Sequence, residues 1–195
     1  MYGETTINVY LNALASKSPV PGGGSVAALI GALASATLGK VVNFTLGKEK
    51  YLAHEEEMQG ILKRLGGIRQ DFNKLCSEDA KAYKKLSDAF KLPKDEKREG
   101  KIQAALKEAA MVPLEVCKKA HEAIKMYPPV ARKGNSNLIT DTEIAKLLFK
   151  CAFRSAVLNV EINLKSVKDE EFTRGIREAL QVMRKDMDNI EEEKQ

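Results

Sequence analysis

An acidic residue, Asp79, occupies a position at which an apolar residue is expected. Residues 58–90 place apolar side chains at helical spacing, at Met58, Leu62, Leu65, Ile68, Phe72, Leu75, Cys76, Ala82, Tyr83, Leu86 and Phe90. Asp79 falls in phase with them, which predicts a carboxylate in the packed face. A carboxyl withdrawn from water keeps its proton to higher pH and can transfer protons near neutrality. The alternative is a face rotated enough for Asp79 to reach water or a lysine.

A glycine-rich segment leads directly into a predicted helix, at Pro21, Gly22, Gly23, Gly24 and Ser25. Unpaired backbone N–H groups and the helix dipole at such a start can bind an anion or a carbonyl oxygen. Consecutive glycines lose much entropy when ordered, which favours a ligand site over a flexible connection with Ser25 as an ordinary N-cap. No Gly-Lys-Ser/Thr ending follows and no strand precedes, so nucleotide binding is disfavoured.

Five further residues are candidates for substrate binding: Lys48, Tyr51, Asn135, Asn137 and Asp141. The lysine and tyrosine follow the helix that the glycines begin, the asparagines lie in a turn, and the aspartate lies in the first turn of the next helix. Each has a structural alternative, because cations suit a helix C-terminus, asparagine terminates helices and acids suit a first helical turn.

Long helical periods broken by few Pro and Gly residues predict an all-α bundle of about six main helices in a single domain, residues 1–195. Residues 18–39 contain no charged side chain, which is also compatible with a membrane helix. Small residues at four-residue steps, Ala27, Gly31, Ser35 and Gly39, instead favour a helix buried at the centre of the bundle.

Three other helices are expected. Residues 1–17 form a short amphipathic helix capped by Thr5 or Thr6, with no cleavable signal, so a cytoplasmic protein is expected. A helix beginning at Thr140 has a predicted inward face of Ile144, Leu147, Leu148, Cys151, Ser155 and Leu158, with Asn159 and Asn163 one turn apart. The last helix carries a narrow seam for a neighbouring helix or a second subunit: Phe172, Ile176, Leu180, Met183, Met187 and Ile190.

Composition limits the classes of ligand. The net charge of +5 favours an anionic partner, but lysine and arginine are interspersed with acids and aromatic residues make up 6%. A small polyanion therefore fits better than nucleic acid. His54 and His121 have no partner at metal-ligand spacing, so neither a metal nor another cofactor is expected, and the three cysteines are predicted to be reduced.

Seven short motifs together resemble a known family, the cyclodeaminase domain of formiminotransferase-cyclodeaminase and its stand-alone relatives, some described as methenyltetrahydrofolate cyclohydrolases. The motifs are Pro-Gly-Gly-Gly-Ser at 21–25, Gly-Lys-Glu-Lys-Tyr at 47–51, Asp-Ala-Lys-Ala-Tyr at 79–83, Lys-Leu-Pro-Lys-Asp at 91–95, Val-Pro-Leu-Glu at 112–115, Gly-Asn-Ser-Asn at 134–137 and Asn-Val-Glu-Ile-Asn-Leu at 159–164. They span nearly the whole chain in the family's order.

The resemblance implies a multi-helical homodimer, a folate substrate that can carry a polyglutamate tail, and Asp79 as the proton-transferring catalytic residue. The expected reaction closes 5-formimidoyltetrahydrofolate to 5,10-methenyltetrahydrofolate with loss of ammonia. One alternative is hydrolysis of the methenyl compound to 10-formyltetrahydrofolate, and another is a non-catalytic dimer that binds folate or another anion. No transferase domain accompanies the motifs, so the formimidoyl substrate would come from another enzyme.

Overall fold

The computed structural model describes residues 5–190. Within that range the chain forms seven α-helices and no strand, with short 3-10 turns at Glu49–His54 and Ser136–Leu138. The helices are α1 (Ile7–Leu14), α2 (Gly23–Asn43), α3 (Glu55–Phe90), α4 (Arg98–Ile124), α5 (Tyr127–Lys133), α6 (Ile139–Leu164) and α7 (Glu170–Asn189). This confirms the prediction of an all-α bundle of about six main helices.

Helix α2 lies at the centre of the bundle, in contact with α3, α4, α5 and α6. Ala27, Ala34 and Leu38 are fully buried. A Cβ atom at Gly31 would lie 2.5 Å from the ring of Phe72, so the glycine permits the close approach of α3. In the described range α2 alone is long and apolar enough to cross a membrane, but 61% of its apolar stretch is buried by the other helices. The prediction of a buried central helix is confirmed.

Helix α3 carries Asp79 and the apolar face with which Asp79 is in phase. It continues through Gly66 and Gly67 without interruption, and glutamates occupy its first turn, where they complement the helix dipole. The predicted apolar face is buried against α2 and α4 at Met58, Leu65, Ile68, Phe72, Leu75 and Cys76. At its C-terminal end the prediction is wrong for Tyr83 and Phe90, which are 47% and 49% exposed. Asp79 lies at the edge of that face and is half-buried.

The N-terminal helix is shorter than the sequence predicted. Residues 1–4 lie outside the described range, and α1 begins after Thr6, whose hydroxyl accepts a hydrogen bond from the N–H of Val9. Amphipathic spacing predicts an inward face of Ile7, Tyr10, Leu11 and Leu14, but among these four Tyr10 alone is buried and Ile7 is 75% exposed. A single buried tyrosine therefore anchors this helix.

The predicted inward face of α6 is wrong for its larger apolar residues: Leu158 is 71% exposed, Leu147 61% and Ile144 44%. The buried face instead consists mainly of alanine and phenylalanine, at Ala145, Phe149, Ala152, Phe153 and Ala156. Small side chains let α2 and α4 approach α6 closely, and the two rings fill the remaining space. Periodicity did not distinguish the faces, because both are apolar.

The start of α6 differs from the prediction, whereas the packing of α7 agrees with one of its two predicted interpretations. Helix α6 begins at Ile139 after the 3-10 turn, so Thr140 lies inside it and does not cap it. Helix α7 buries Ile176, Leu180, Met183 and Met187 and packs against α4 and α6. The seam is therefore used within the bundle.

Candidate active site

Asp79 lies against the first turn of α2, so the structure brings together the two features recognised separately in the sequence. The backbone N–H of Ser25 donates a hydrogen bond to Oδ2 of Asp79 at 3.1 Å. A Cβ atom at Gly24 would lie 2.0 Å from Oδ1 of Asp79. Glycine at this position is therefore required by the approach of the carboxylate.

The side chain of Ser25 fastens the start of α2 to two other helices. Its buried hydroxyl lies 2.9 Å from Sγ of Cys76 on α3 and accepts a hydrogen bond from the hydroxyl of Tyr10 on α1 at 3.1 Å. Gly22 is the N-cap residue of α2, so the alternative in which Ser25 is an ordinary N-cap is wrong. Ser25 positions its own N–H group in front of Asp79.

Asp79 opens into a cleft of about 250 Å³ between the start of α2, the C-terminal half of α3 and the end of α6. The cleft is lined by Pro19, Val20, Gly22, Gly23, Gly24, Asp79, Ala82, Tyr83, Leu86, Ala109, Asn159, Ile162 and Asn163. Pro21 is buried immediately before these glycines. Among residues 5–190, Asp79 is the single charged residue of the lining, so the cleft suits a cationic or proton-donating centre.

Two asparagines of α6 form the wall opposite Asp79. Nδ2 of Asn159 donates to the carbonyl oxygen of Ser155 at 2.9 Å, and Nδ2 of Asn163 donates to that of Ala109 at 3.0 Å. These bonds orient both amides and leave each Oδ1 atom as an acceptor for a ligand N–H group. A Cβ atom at Gly23 would lie 3.0 Å from Oδ1 of Asn159, so this glycine also keeps the wall close to α2.

Burial changes the proton affinity of the groups around the cleft. It raises the pKa of Asp79 above that of a free aspartic acid, and the hydrogen bond from Ser25 partly opposes the rise. Burial also raises the pKa values of Cys76 and Tyr10, so the thiol and the phenol are protonated at neutral pH. Asp79 is therefore the group of this cluster whose pKa is shifted toward neutrality, which suits it to proton transfer.

The other five predicted binding residues lie at the opposite end of α2. Lys48, Tyr51, Asn135 and Asn137 surround the connection that follows the helix, and Asp141 forms an ion pair with Lys40 at 3.0 Å. Helix α2 has 21 residues and is therefore about 30 Å long. Within one chain, the structure does not bring these residues to Asp79.

The asparagine turn is held to the end of α2 by its own side chains. Nδ2 of Asn135 donates to the carbonyl oxygen of Phe44 at 2.9 Å, its N–H donates to Oγ1 of Thr45, and its Oδ1 accepts from the N–H of Asn137. The hydroxyl of Tyr51 accepts from the N–H of Ser136 at 3.2 Å. Asn135 therefore has a structural role as the N-cap of the 3-10 turn, which differs from the helix terminator of its alternative interpretation.

Sequence reasoning assigned no site role to Asn159, Ile162, Asn163 or Tyr83, all of which line the cleft. The two asparagines carried a usable signal, because amides one turn apart on an otherwise apolar helix need polar partners. Tyr83 belongs to the same motif as Asp79, one helical turn further on, and is 47% exposed. Throughout residues 5–190, no group of three or more His, Cys, Asp or Glu side chains is placed to hold a metal ion.

Comparison with known proteins shows which family the chain resembles. The family model described as formiminotransferase-cyclodeaminase matches residues 6–182. A methenyltetrahydrofolate cyclohydrolase from Methylorubrum extorquens is 40% identical over 177 residues, which cover 88% of this chain and 85% of that protein. A formimidoyltransferase-cyclodeaminase from Mus musculus is 27% identical over 87% of this chain, but the match covers only 32% of the mouse protein.

A solved structure of similar shape is that of formiminotetrahydrofolate cyclodeaminase from Thermotoga maritima. It superposes with a TM-score of 0.92 at 32% sequence identity and covers 97% of this chain and 93% of the other. Similarity in sequence and in fold therefore extends over nearly the whole chain. This protein belongs to the formiminotransferase-cyclodeaminase family.

Proposed function

We propose that this protein is an enzyme acting on the one-carbon unit between N5 and N10 of tetrahydrofolate, with hydrolysis of 5,10-methenyltetrahydrofolate to 10-formyltetrahydrofolate as its main reaction. The observation that carries the proposal is Asp79, a half-buried carboxyl of raised pKa and the single charge in its cleft. The choice of hydrolysis rests on the 40% identity with the cyclohydrolase from Methylorubrum extorquens.

Hydrolysis requires one group that accepts and returns a proton. Ionised Asp79 accepts a proton from water as the oxygen attacks the methenyl carbon, giving a neutral carbinolamine. When the bond from that carbon to N5 breaks, protonated Asp79 returns its proton to N5. The hydroxyl proton leaves as the formyl C=O forms, so each turnover releases one proton. A pKa nearer neutrality than that of a free carboxyl suits both steps.

The other residues of the cleft bind and orient the substrate in this proposal. The free Oδ1 atoms of Asn159 and Asn163 accept hydrogen bonds from the N–H groups of the pterin ring. The exposed ring of Tyr83 provides an apolar surface for the aminobenzoyl group. Before water attacks, the negative charge of Asp79 stabilises the bound methenyl cation, and it stabilises the neutral product less.

Cyclodeamination is the second candidate, favoured by the close fit to the Thermotoga maritima cyclodeaminase. N10 attacks the carbon of the protonated formimidoyl group, Asp79 accepts the proton of N10, and the same proton is returned to the amino group, which departs as ammonia and leaves the methenyl cation. Both reactions pass through a tetrahedral carbon between N5 and N10, which carries a hydroxyl group in one case and an amino group in the other. One site can therefore support either reaction.

The setting of the enzyme is also part of this proposal. A cytoplasmic location agrees with three cysteines that are free thiols, at Cys76, Cys117 and Cys151. No cofactor is needed in either mechanism besides the folate substrate. The net charge of +5 favours folates with several glutamate carboxylates, and a homodimer is expected from the family resemblance.

The test supplies purified protein with 5,10-methenyltetrahydrofolate and, separately, with 5-formimidoyltetrahydrofolate, and follows the methenyl absorbance. Asp79→Asn preserves the size and polarity of the side chain but cannot exchange the proton. Asp88→Asn is the matched control, because Asp88 lies on the same helix, 57% exposed and paired with Lys91. Spontaneous hydrolysis without protein is subtracted.

If the methenyl absorbance falls with the wild type and with Asp88→Asn but not with Asp79→Asn, the result would support hydrolysis as the main reaction. Appearance of that signal from the formimidoyl compound, with no acceleration of hydrolysis, would assign cyclodeamination instead. Inertness toward both compounds, with retained folate binding, would leave the non-catalytic binding protein and refute the proposal.

A further inference from the structure

Helix α4 contains a buried proline, Pro113, near the middle of its 27 residues. The residue belongs to the Val-Pro-Leu-Glu motif at 112–115. Proline has no backbone N–H group, so it cannot donate the helical hydrogen bond to the carbonyl oxygen four residues earlier, and its ring presses against that carbonyl. The carbonyl concerned is that of Ala109. Since alanine would continue the helix more favourably, the proline points to a role outside the helix itself.

A side chain of another helix takes the place of the missing donor. Nδ2 of Asn163, on α6, donates a hydrogen bond to the carbonyl oxygen of Ala109 at 3.0 Å. The two residues are 54 positions apart in the chain, so the bond depends on the packing of α4 against α6. Pro113 and Asn163 therefore share one acceptor, which the proline leaves free and the amide occupies.

This acceptor determines which end of the Asn163 amide faces the cleft. A carbonyl oxygen accepts hydrogen bonds and cannot donate them, so it must face the NH2 group of the amide. The reverse orientation would place two oxygen atoms against each other. Ala109 and Asn163 both line the cleft of Asp79, so the fixed amide offers Oδ1 to a ligand there.

Asn159, one turn earlier on α6, is oriented in a different way. Its Nδ2 donates to the carbonyl oxygen of Ser155 on the same helix, at 2.9 Å. The orientation of Asn159 thus depends on α6 alone. Asn163 instead depends on α4, where an N–H group at position 113 would compete for the carbonyl of Ala109.

We propose that Pro113 is a positioning residue of the active site, because it frees the carbonyl of Ala109 to orient Asn163 and so presents Oδ1 to the N–H groups of the pterin ring. This inference rests on the proposed folate substrate. An acceptor fixed in this way favours a ring edge that carries N–H groups over one that presents oxygen or an unprotonated nitrogen. Pro113 and Asn163 thus select the ligand, and proton transfer remains with Asp79.

A double-mutant cycle tests this role. Pro113→Ala restores the N–H group at position 113, Asn163→Ala removes the amide, and a further variant carries both substitutions. Each single substitution is expected to raise KM for methenyltetrahydrofolate by about threefold to tenfold, because a hydrogen bond to the substrate is weakened or lost. The kcat is expected to stay within about threefold of the wild type. Pro113→Ala should add less than about twofold to the KM of Asn163→Ala, because the proline acts through the amide.

Two controls isolate the interaction. Pro113→Ala combined with Asn159→Ala should raise KM by the product of the two single effects, since the amide of Asn159 is oriented by its own helix. Pro128→Ala makes the same chemical change in the first turn of α5, where N–H groups lack a helical partner in any case, and should leave KM unchanged. Circular dichroism checks that each variant is folded.

Nuclear magnetic resonance gives a readout that needs no substrate. The side-chain NH2 resonances of Asn163 are identified by their absence in Asn163→Ala. In Pro113→Ala they are expected to shift and to exchange faster with water, because the restored N–H group competes for the carbonyl of Ala109. In Pro128→Ala they should keep their wild-type positions.

Effects on KM that multiply in the variant of Pro113 and Asn163 would overturn the proposal, as would Asn163 resonances that do not change in Pro113→Ala. If Pro113→Ala does not fold, Asn163→Asp replaces it, since this side chain keeps an oxygen acceptor but cannot donate to Ala109. An unchanged KM in Asn163→Asp would overturn the proposal. Wild-type protein that turns over neither folate would count against the proposed function instead, and the resonances of Asn163 would then decide the positioning role.

Discussion

Substitution of Gly24 by alanine changes the geometry of Asp79 while leaving every catalytic atom in the chain. The added Cβ would lie 2.0 Å from Oδ1 and 2.6 Å from Cγ of Asp79. An ordinary van der Waals contact begins at 3.4 Å, so the carboxylate has to move by about 1.4 Å. The bulk of the fold is expected to remain, because the contacted atoms are the far end of a side chain beside an open cleft.

This displacement is large in relation to catalysis. A catalytic group misplaced by about 1 Å can lower the rate on the order of 100-fold, so we expect a loss of kcat of at least that size in Gly24→Ala. The movement also lengthens the hydrogen bond from Ser25, which is 3.1 Å in the native protein and opposes the rise in the pKa of Asp79. The acidic limb of the pH–rate profile, where Asp79 must be ionised, is therefore expected to move to higher pH.

The assay compares kcat, the pH–rate profile and the urea midpoint of Gly24→Ala with those of Gly67→Ala. Gly67 lies on α3 with no atom within 4 Å of its added Cβ, so its replacement should leave kcat unchanged and stabilise the helix by up to about 1 kcal/mol. Gly24→Ala with kcat within about threefold of wild type would refute the reasoning, since the rate would then tolerate the displacement.

Three further substitutions test the energetics of the same region. Because burial raises the pKa of Asp79, the folded chain binds more protons than the unfolded chain, and ionised Asp79 destabilises the fold increasingly above the usual aspartate pKa of about 3.9. Asp79→Asn should therefore have a higher Tm than the wild type at pH 7, and the difference should disappear below about pH 4. A Tm below that of the wild type at pH 7 would contradict this prediction. Gly31→Ala places a Cβ 2.5 Å from the ring of Phe72 and should lower the free energy of unfolding in urea by about 1–3 kcal/mol, whereas an unchanged value would mean that α2 and α3 can separate at no cost. Tyr10→Phe removes a buried hydrogen bond to Ser25 and should cost about 0.5–1.5 kcal/mol in the same measurement, and an unshifted midpoint would show that this bond does not stabilise the fold.

The helical class and the buried central helix followed from local rules. Small residues at four-residue steps in α2 predicted close packing on several sides, and Gly31 against Phe72 is one such contact. The prediction for α6 was wrong about its outer face, because a helix with apolar residues all round has no periodic signal that selects one side. The buried side of α6 combines alanines, which let α2 and α4 approach closely, with the rings of Phe149 and Phe153, which fill the remaining space.

For the candidate site, the sequence by itself determined which residue could exchange a proton. Asp79 is in phase with apolar neighbours, and that phase depends only on the 3.6-residue period of the helix. The glycine segment could likewise be recognised, because glycine at three successive positions has few structural explanations.

The tertiary structure decided what these residues meet. The bond from the Ser25 N–H to Asp79 joins positions 54 apart in the chain, and the asparagine wall comes from another helix again. Lys48 and Tyr51 were grouped with Asp79 by the sequence and are about 30 Å from it, because α2 is rigid and fixes the separation of its two ends. Periodicity reports the direction of a side chain from its own helix, but the neighbour in that direction is set by the packing of all the helices together.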